Sequence, residues 1–316
     1  MKFRENKPLE SLNWFSTGGA ARYFCEPKTP DEFRQSITFS REKELELFFL
    51  GEGANVLISD DGFSGLVVHP VNKGISIVRQ NEFPRDVLVQ AGSGVTMQNL
   101  IDYCLTHEIT GLEDFSGIPG TVGGSVYINL HYFDRLLSDS FQTGTVINRL
   151  SGELQSHDAS WFQFGYDQSK LHNSDYYLVD ATFNLKKSNP IDVAYARGRR
   201  DEIIRHRNRR YPNSHTCGSF FRNFTEEEVE LTINGKKMIF VAYYLDKLGL
   251  KGELQIGGAR VSSKHANMIV TDESATSLDV VQLARKMQQK VQEEFGLLPK
   301  PECQLIGFRE YPLISE

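Results

Sequence analysis

The chain has 316 residues, 40% hydrophobic and 24% charged, which is room for two or three domains and an ordinary composition for a folded globular protein. A formal net charge of −6 and a pI near 5.8 argue against a protein that grips nucleic acid through a broad basic surface, and leave room only for a local basic pocket. The N-terminus, Met1-Lys2-Phe3-Arg4-Glu5-Asn6, has no apolar stretch of the kind a secretory signal needs, and no run is long and apolar enough for a membrane span. Cys25, Cys104, Cys217 and Cys303 are scattered without a C-x-x-C pair, which points to free thiols in a reducing cytoplasm and to no metal site.

Residues 45–50, 55–59 and 65–69 read as short buried strands separated by tight turns. Residues 87–91 read as a strand and residues 97–107 as a helix, with Leu100, Ile101, Cys104 and Leu105 at helical spacing. Strands are expected at 126–129, 145–150 and 176–185, followed by a charged helix over 197–207 and a linker over 208–216. Residues 237–248 suit a strand or a helix. The clearest helix covers 276–295: Thr276 and Asp279 form a capping-box pair, Gly296 ends it, and Leu278, Leu283, Ala284, Met287, Val291 and Phe295 share a face read as core.

Two glycine-rich segments stand out. Gly51-Glu52-Gly53-Ala54-Asn55 follows a strand, and glycines there allow positive φ and close backbone approach to a phosphate. Alone this is an ordinary tight turn, since the third glycine of a dinucleotide fingerprint is missing and strand-like residues follow. Ser116-Gly117-Ile118-Pro119-Gly120-Thr121-Val122-Gly123-Gly124 is the second, and its continuation also alternates like a strand. Two glycine loops between strands suggest an extended dinucleotide lying across loops, the alternative being two bulge-rich turns.

These residues resemble a known family. The run from Gly51 to Asp60 followed by Gly62-Phe63-Ser64-Gly65, and the run from Gly117 to Gly124, are similar to the flavin-binding segments of the UDP-N-acetylenolpyruvoylglucosamine reductase (MurB) family. Gly18-Gly19-Ala20-Ala21-Arg22, Cys217-Gly218-Ser219-Phe220-Phe221-Arg222-Asn223, Gly249-Leu250-Lys251-Gly252, Ile256-Gly257-Gly258-Ala259, His265-Ala266-Asn267 and Pro301-Glu302 extend the resemblance along nearly the whole chain. It implies an α+β protein: a vanillyl-alcohol-oxidase-type FAD-binding fold of two domains plus a C-terminal substrate-binding domain, in the family's short form. The expected division is 1–70 with 300–316, then 71–207, then 208–299.

The reaction implied is NADPH-dependent, FAD-mediated reduction of UDP-N-acetylglucosamine enolpyruvate to UDP-N-acetylmuramate, a step of peptidoglycan precursor synthesis. By the same resemblance FAD is non-covalent and held by Gly51, Gly53, Ala54, Asn55, Val56, Ser116, Gly117, Ile118, Pro119, Gly120, Gly123 and Gly124. Ser219 maps onto the family's proton donor and Glu302 onto its catalytic glutamate, whose pKa burial would raise. Tyr166, Arg210, Arg222, Asn223 and Lys251 are the expected contacts to the UDP-sugar, guanidinium groups being suited to phosphate and carboxylate. The expected enzyme is a cytoplasmic monomer that binds no nucleic acid and inserts in no membrane.

Two places depart from the family pattern. Where the family carries Tyr-Arg-x-Ser, with the arginine facing the enolpyruvyl carboxylate and flavin, this chain reads Tyr166-Asp167-Gln168-Ser169. After the second glycine segment, the bulky run Asn129-Leu130-His131-Tyr132-Phe133-Asp134-Arg135 replaces small residues. Three accounts fit: another cation (Arg135, Lys170 or Arg260) takes the role, the enzyme is an FAD oxidoreductase on another substrate, or it is a weakly active flavin- or nucleotide-sugar-binding paralogue. Retention of Ser219 and Glu302 favours the first.

Overall fold

The computed structural model describes residues 1–80, 86–172 and 174–315. The chain forms two compact units, one of Met1–Glu5, Tyr23–Glu52 and Gly65–Arg207, the other of Asn6–Arg22, Gly53–Ser64 and Asn208–Glu316. Both mix helices and strands, as expected for an α+β protein.

In the first unit, helix α1 (Pro30–Glu42) starts at Thr29, whose hydroxyl accepts from the Glu32 N–H, with Pro30 in the first turn. Leu47–Phe49 runs parallel to the end of strand Phe63–Val68, Leu47 opposite Leu66. The larger sheet is antiparallel, ordered Leu154–Asp158, Phe141–Asn148, Tyr176–Lys187, Asp86–Gly92, Ile75–Gln80, with Ile109–Thr110 also pairing with Tyr176–Lys187. Strand Asp86–Gly92 alternates as a half-buried strand should, burying Val87, Val89 and Ala91. Helix α2 (Met97–Thr106) lays Met97, Leu100, Ile101, Cys104 and Leu105 into the same core, each worth about 1.5–3 kcal/mol of apolar burial.

Residues 122–127 form a short helix, α3 (Val122–Tyr127), where a strand was expected over 126–129. Thr121 caps it by accepting from the Gly124 N–H at 3.3 Å, and Val122, Ser125 and Val126 are buried at i, i+3, i+4 spacing. Over five residues, apolar spacing of this kind fits both periods, and the cap decides. Helix α4 (Pro190–Arg210) is longer than the expected 197–207, so the linker begins at Tyr211.

In the second unit, strand Val56–Ile58 pairs in parallel with Gln304–Ile306 near the C-terminus. Helix α5 (Val241–Lys247) resolves the ambiguous 237–248 segment as mostly helical. A three-stranded antiparallel sheet, Gln255–Ile256, Ala259–Val261 and Ile269–Thr271, shares a core with α5 and α6 (Ser277–Phe295). The expected capping box is formed: the Asp279 N–H donates to the Thr276 hydroxyl (3.1 Å) and the Thr276 N–H to the Asp279 carboxylate (3.0 Å). Gly296 ends α6 in the left-handed region at φ 68°. Asp60 adds a second anion at this helix start, accepting from the Ser277 and Leu278 N–H groups at 2.9 and 3.2 Å. Leu278 is 56% exposed, contrary to its expected place on the core face, because the first turn projects past the packed stripe that begins at Val280 and Val281.

Candidate active site

The first glycine-rich segment uses its glycines for closeness. In the first unit, a Cβ on Gly51 would lie 2.6 Å from the Thr121 hydroxyl, and the Glu52 carboxylate accepts from the Gly120 N–H at 2.6 Å. In the second unit, Gly53 has φ 69°, a Cβ there would lie 2.3 Å from the Leu12 carbonyl oxygen, and its own carbonyl accepts from the Trp14 N–H at 3.0 Å. Ala54 and Asn55 follow, and Val56 enters the strand paired with Gln304.

The second segment is almost fully engaged within its own unit. Ser116 is buried with its hydroxyl donating to the Glu113 carbonyl at 2.6 Å. The Gly117 N–H donates to Gln98 (3.1 Å), and the Ile118 carbonyl accepts from Gln98 (3.1 Å) ahead of Pro119. The Gly123 N–H donates to the Ser93 carbonyl (2.9 Å), and that of Val122 to Val95 (2.7 Å). With Gly120 on Glu52 and Gly124 on Thr121, these N–H groups already have protein acceptors. The glycines therefore contribute room for a ligand: Gly117 and Gly120 sit at φ 75° and 139°.

Ser219 and Glu302 lie on neighbouring extended segments of the second unit. Ser219 bridges to Met268 and Phe221 to Pro301, and the Glu302 N–H donates to the Phe220 carbonyl at 2.9 Å. Both residues are half-buried. Asn267 fixes the serine's segment, its side-chain amide donating to the Phe221 carbonyl (2.7 Å) and accepting from the Phe221 N–H (3.1 Å), while its own carbonyl accepts from Phe220 (2.8 Å). Asn55 is adjacent: its carbonyl accepts from the Gln304 N–H at 3.1 Å, and its amide reaches the Glu302 carbonyl at 3.5 Å. The fold thus gathers one glycine-rich segment, the serine and the glutamate within one unit. Asn267 was visible in the sequence only as part of a motif, without a role.

The candidate substrate contacts divide by environment. Arg222 is forked onto Glu228 at 2.7 and 2.8 Å and also donates to the Asn223 carbonyl, and this pairing holds the Glu228 carboxyl down at about 2. Lys251 stands 3.5 Å from Asp246, and Arg210 is exposed at the end of α4. Both act on His265, which sequence reasoning quoted but gave no role: burial first, then the charges of Arg210 and Lys251, push its pKa down to about 4. The imidazole Nδ1 is buried without a hydrogen-bond partner. Tyr166 belongs to the first unit, where it is 58% exposed with its ring 4.4 Å from that of His131. All four cysteines are buried free thiols. Among the described residues no cluster of His, Cys, Asp and Glu is placed to hold a metal, and no helix is long and apolar enough to cross a membrane.

His265 sets an acid limit on stability. Its folded pKa lies below the unfolded value near 6.5, so on acidification the unfolded chain takes up a proton that the folded chain refuses. The stability present above about pH 6.5 therefore falls as pH drops toward 4, by about 3 kcal/mol in all. His265→Gln should flatten this part of the denaturant-derived stability profile, and an unchanged slope between pH 6.5 and 4 would contradict it.

Comparison with known proteins fits this arrangement. Residues 21–156 match the family described as FAD binding domain, and residues 210–306 match the UDP-N-acetylenolpyruvoylglucosamine reductase, C-terminal domain. The chain is therefore an FAD-dependent oxidoreductase of mixed α+β fold. A UDP-N-acetylenolpyruvoylglucosamine reductase of Listeria innocua serovar 6a is 32% identical over 303 residues, 96% of this chain and 94% of the relative. One from Exiguobacterium sibiricum is 30% identical, covering 96% and 92%. The chain belongs to the UDP-N-acetylenolpyruvoylglucosamine reductase family. The solved structure of UDP-N-acetylenolpyruvylglucosamine reductase (MurB) from Thermus caldophilus shares its fold, with a TM-score of 0.75 at 24% identity over 96% of this chain and 100% of that one.

Proposed function

We propose that this chain reduces UDP-N-acetylglucosamine enolpyruvate to UDP-N-acetylmuramate with NADPH as hydride donor, as a cytoplasmic, single-subunit enzyme of peptidoglycan precursor synthesis. The observation that carries the reading is the union, in one unit, of Asn55, the Ser219 segment and the Glu302 segment. The residues fit a flavin dinucleotide. Asn13 Oδ1, Thr17 Oγ1 and Asn55 Oδ1 are buried without hydrogen-bond partners, and ribityl hydroxyls or a flavin ring N–H are suitable complements. Gly51, Gly53, Ala54, Asn55 and Val56 would hold it, with Ser116, Gly117, Ile118, Pro119, Gly120, Gly123 and Gly124 giving close approach.

FAD, when bound, supplies hydride transfer to the terminal carbon of the enol ether. The protein's part is to manage the negative charge that then spreads from C2 into the carboxylate, and to give C2 its proton. Ser219 donates that proton; a hydroxyl is acid enough toward a carbanionic centre when it is held in line, and the Asn267 clamp holds its backbone. Glu302 polarises the enolate side. Arg210 and Lys251, which converge electrostatically on His265, suit the diphosphate, with Arg222, Asn223 and Tyr166 completing the substrate contacts. We assign cofactor duties to residues 1–70 with 300–316 and 71–207, and substrate duties to 208–299. NADPH consumption by the purified protein should depend on the enolpyruvyl nucleotide and yield a product heavier by two hydrogen atoms in mass spectrometry. Consumption indifferent to that nucleotide would refute the assignment.

A further inference from the structure

The two sequence departures from the family pattern touch each other. His131 Nδ1 lies 3.0 Å from an Asp167 carboxylate oxygen, a charge-pairing distance that is out of line for a conventional hydrogen bond. Asp167 is presented by a tight turn closed by the Gly165 N–H donating to the Gln168 carbonyl (2.9 Å), and it occupies the left-handed region at φ 52°. A non-glycine residue there carries about 1 kcal/mol of strain or more, which the surroundings must offset.

They do so by bracing. Asn129, buried just after α3, donates to the Gly165 carbonyl (2.8 Å) and accepts from the Ser138 N–H (3.0 Å). The Ser169 hydroxyl donates to the Tyr127 carbonyl at 2.6 Å, the last residue of α3. The Tyr166 ring covers the imidazole. The pair therefore stands four residues beyond the helix that begins in the second glycine-rich segment, roughly 9 Å of helix away from it. With side chains 26% and 18% exposed, it is half-dewatered yet reachable by a ligand.

The charges around it leave His131 as the partner of Asp167. His172 also feels Asp167, but burial pushes its pKa down and keeps it neutral. Arg135, on the same hairpin as His131, is paired with Asp114, which Arg199 also holds at 2.5 Å. His206 and Arg207 face the neighbouring Tyr132, at 3.5 Å from its hydroxyl and 5.8 Å from its ring centre.

We infer that His131, oriented by Asp167, is the positively charged donor this enzyme turns toward the substrate carboxylate, with Asp167 as its positioning residue. The carboxylate favours imidazolium, leaving Nε2–H for the ligand. The inference rests on the function proposed above, and it makes this charge titratable where a guanidinium would be fixed.

Two measurements decide it. In ¹⁵N-histidine NMR of the flavin-loaded protein, the His131 pKa should lie above the ordinary 6.5 and fall on Asp167→Asn. Equal titration in both proteins overturns the inference. In single-turnover reoxidation of reduced flavin by the enolpyruvyl nucleotide, the rate should decline on the alkaline side as His131 deprotonates. His131→Gln should cost about 10²-fold and erase that limb, whereas His131→Arg should keep the rate and lose only the limb. An unchanged pH profile in His131→Gln means a structural pin and overturns it. A wild-type enzyme that the nucleotide does not reoxidise defeats the substrate reading instead, and the NMR comparison still judges the pair.

Discussion

Replacing Ser219 by alanine should slow reoxidation of the reduced flavin by the enolpyruvyl nucleotide about 10²- to 10⁴-fold, the range a positioned proton donor supplies. The loss should fall on this half-reaction, because the hydroxyl is proposed to act only once C2 carries negative charge. Protein stability should hardly move. The backbone around residue 219 is fixed by its bridge to Met268 and by Asn267 on Phe220 and Phe221, none of which uses the serine side chain. Anaerobic stopped-flow traces at 450 nm (about the usual flavin band), read beside thermal melts, separate the two effects. A variant as fast as the parent removes Ser219 from the chemistry.

The second large effect is expected at Gly53. Alanine there meets the Leu12 carbonyl oxygen at 2.3 Å and the Asn13 Cα at 2.5 Å, with φ at 69°. Both obstacles are backbone and cannot swing aside. Strain plus overlap should cost about 3 kcal/mol or more and shift the 53–55 segment away from Trp14. Gly235→Ala is the control, since φ is 76° but a Cβ there meets nothing within 4 Å; it should cost only about 1 kcal/mol. Chemical denaturation gives the stability difference, and the flavin-to-protein absorbance ratio after purification should fall only for Gly53→Ala. Equal losses in the two variants would show that conformational strain alone matters and that close approach at Gly53 does not.

Where the sequence carried explicit chemical punctuation, the structure was legible in it. Thr276, Asp279 and Gly296 marked both ends of α6 because each makes a local hydrogen bond or adopts a local conformation that its residue type favours. Helix α2 was readable from five apolar residues at one spacing. Helix α3 was not, since a six-residue helix has too little periodicity and its deciding feature is one threonine hydroxyl.

The site divides in the same way. Ser219 and Glu302 were visible as motif residues, but 83 positions of chain separate them (302 minus 219), and only the folded backbone sets Glu302 on Phe220. Arg222 looked like a free anion clamp; its long-range commitment is in fact local, to Glu228 six residues away, yet no periodic pattern announces a salt bridge in irregular chain. The His131–Asp167 contact spans two loops whose meeting depends on Asn129 and Ser169 side chains. Read separately, each residue looked like a defect of the site.

The central claim is tested most directly by mixing the NADPH-reduced wild-type enzyme with UDP-N-acetylglucosamine enolpyruvate under anaerobic conditions and following the flavin. The account predicts full reoxidation at a rate proportional to nucleotide at low concentration, with one UDP-N-acetylmuramate formed per flavin. Flavin that stays reduced in the presence of the nucleotide, and reoxidises only when oxygen is admitted, would contradict it.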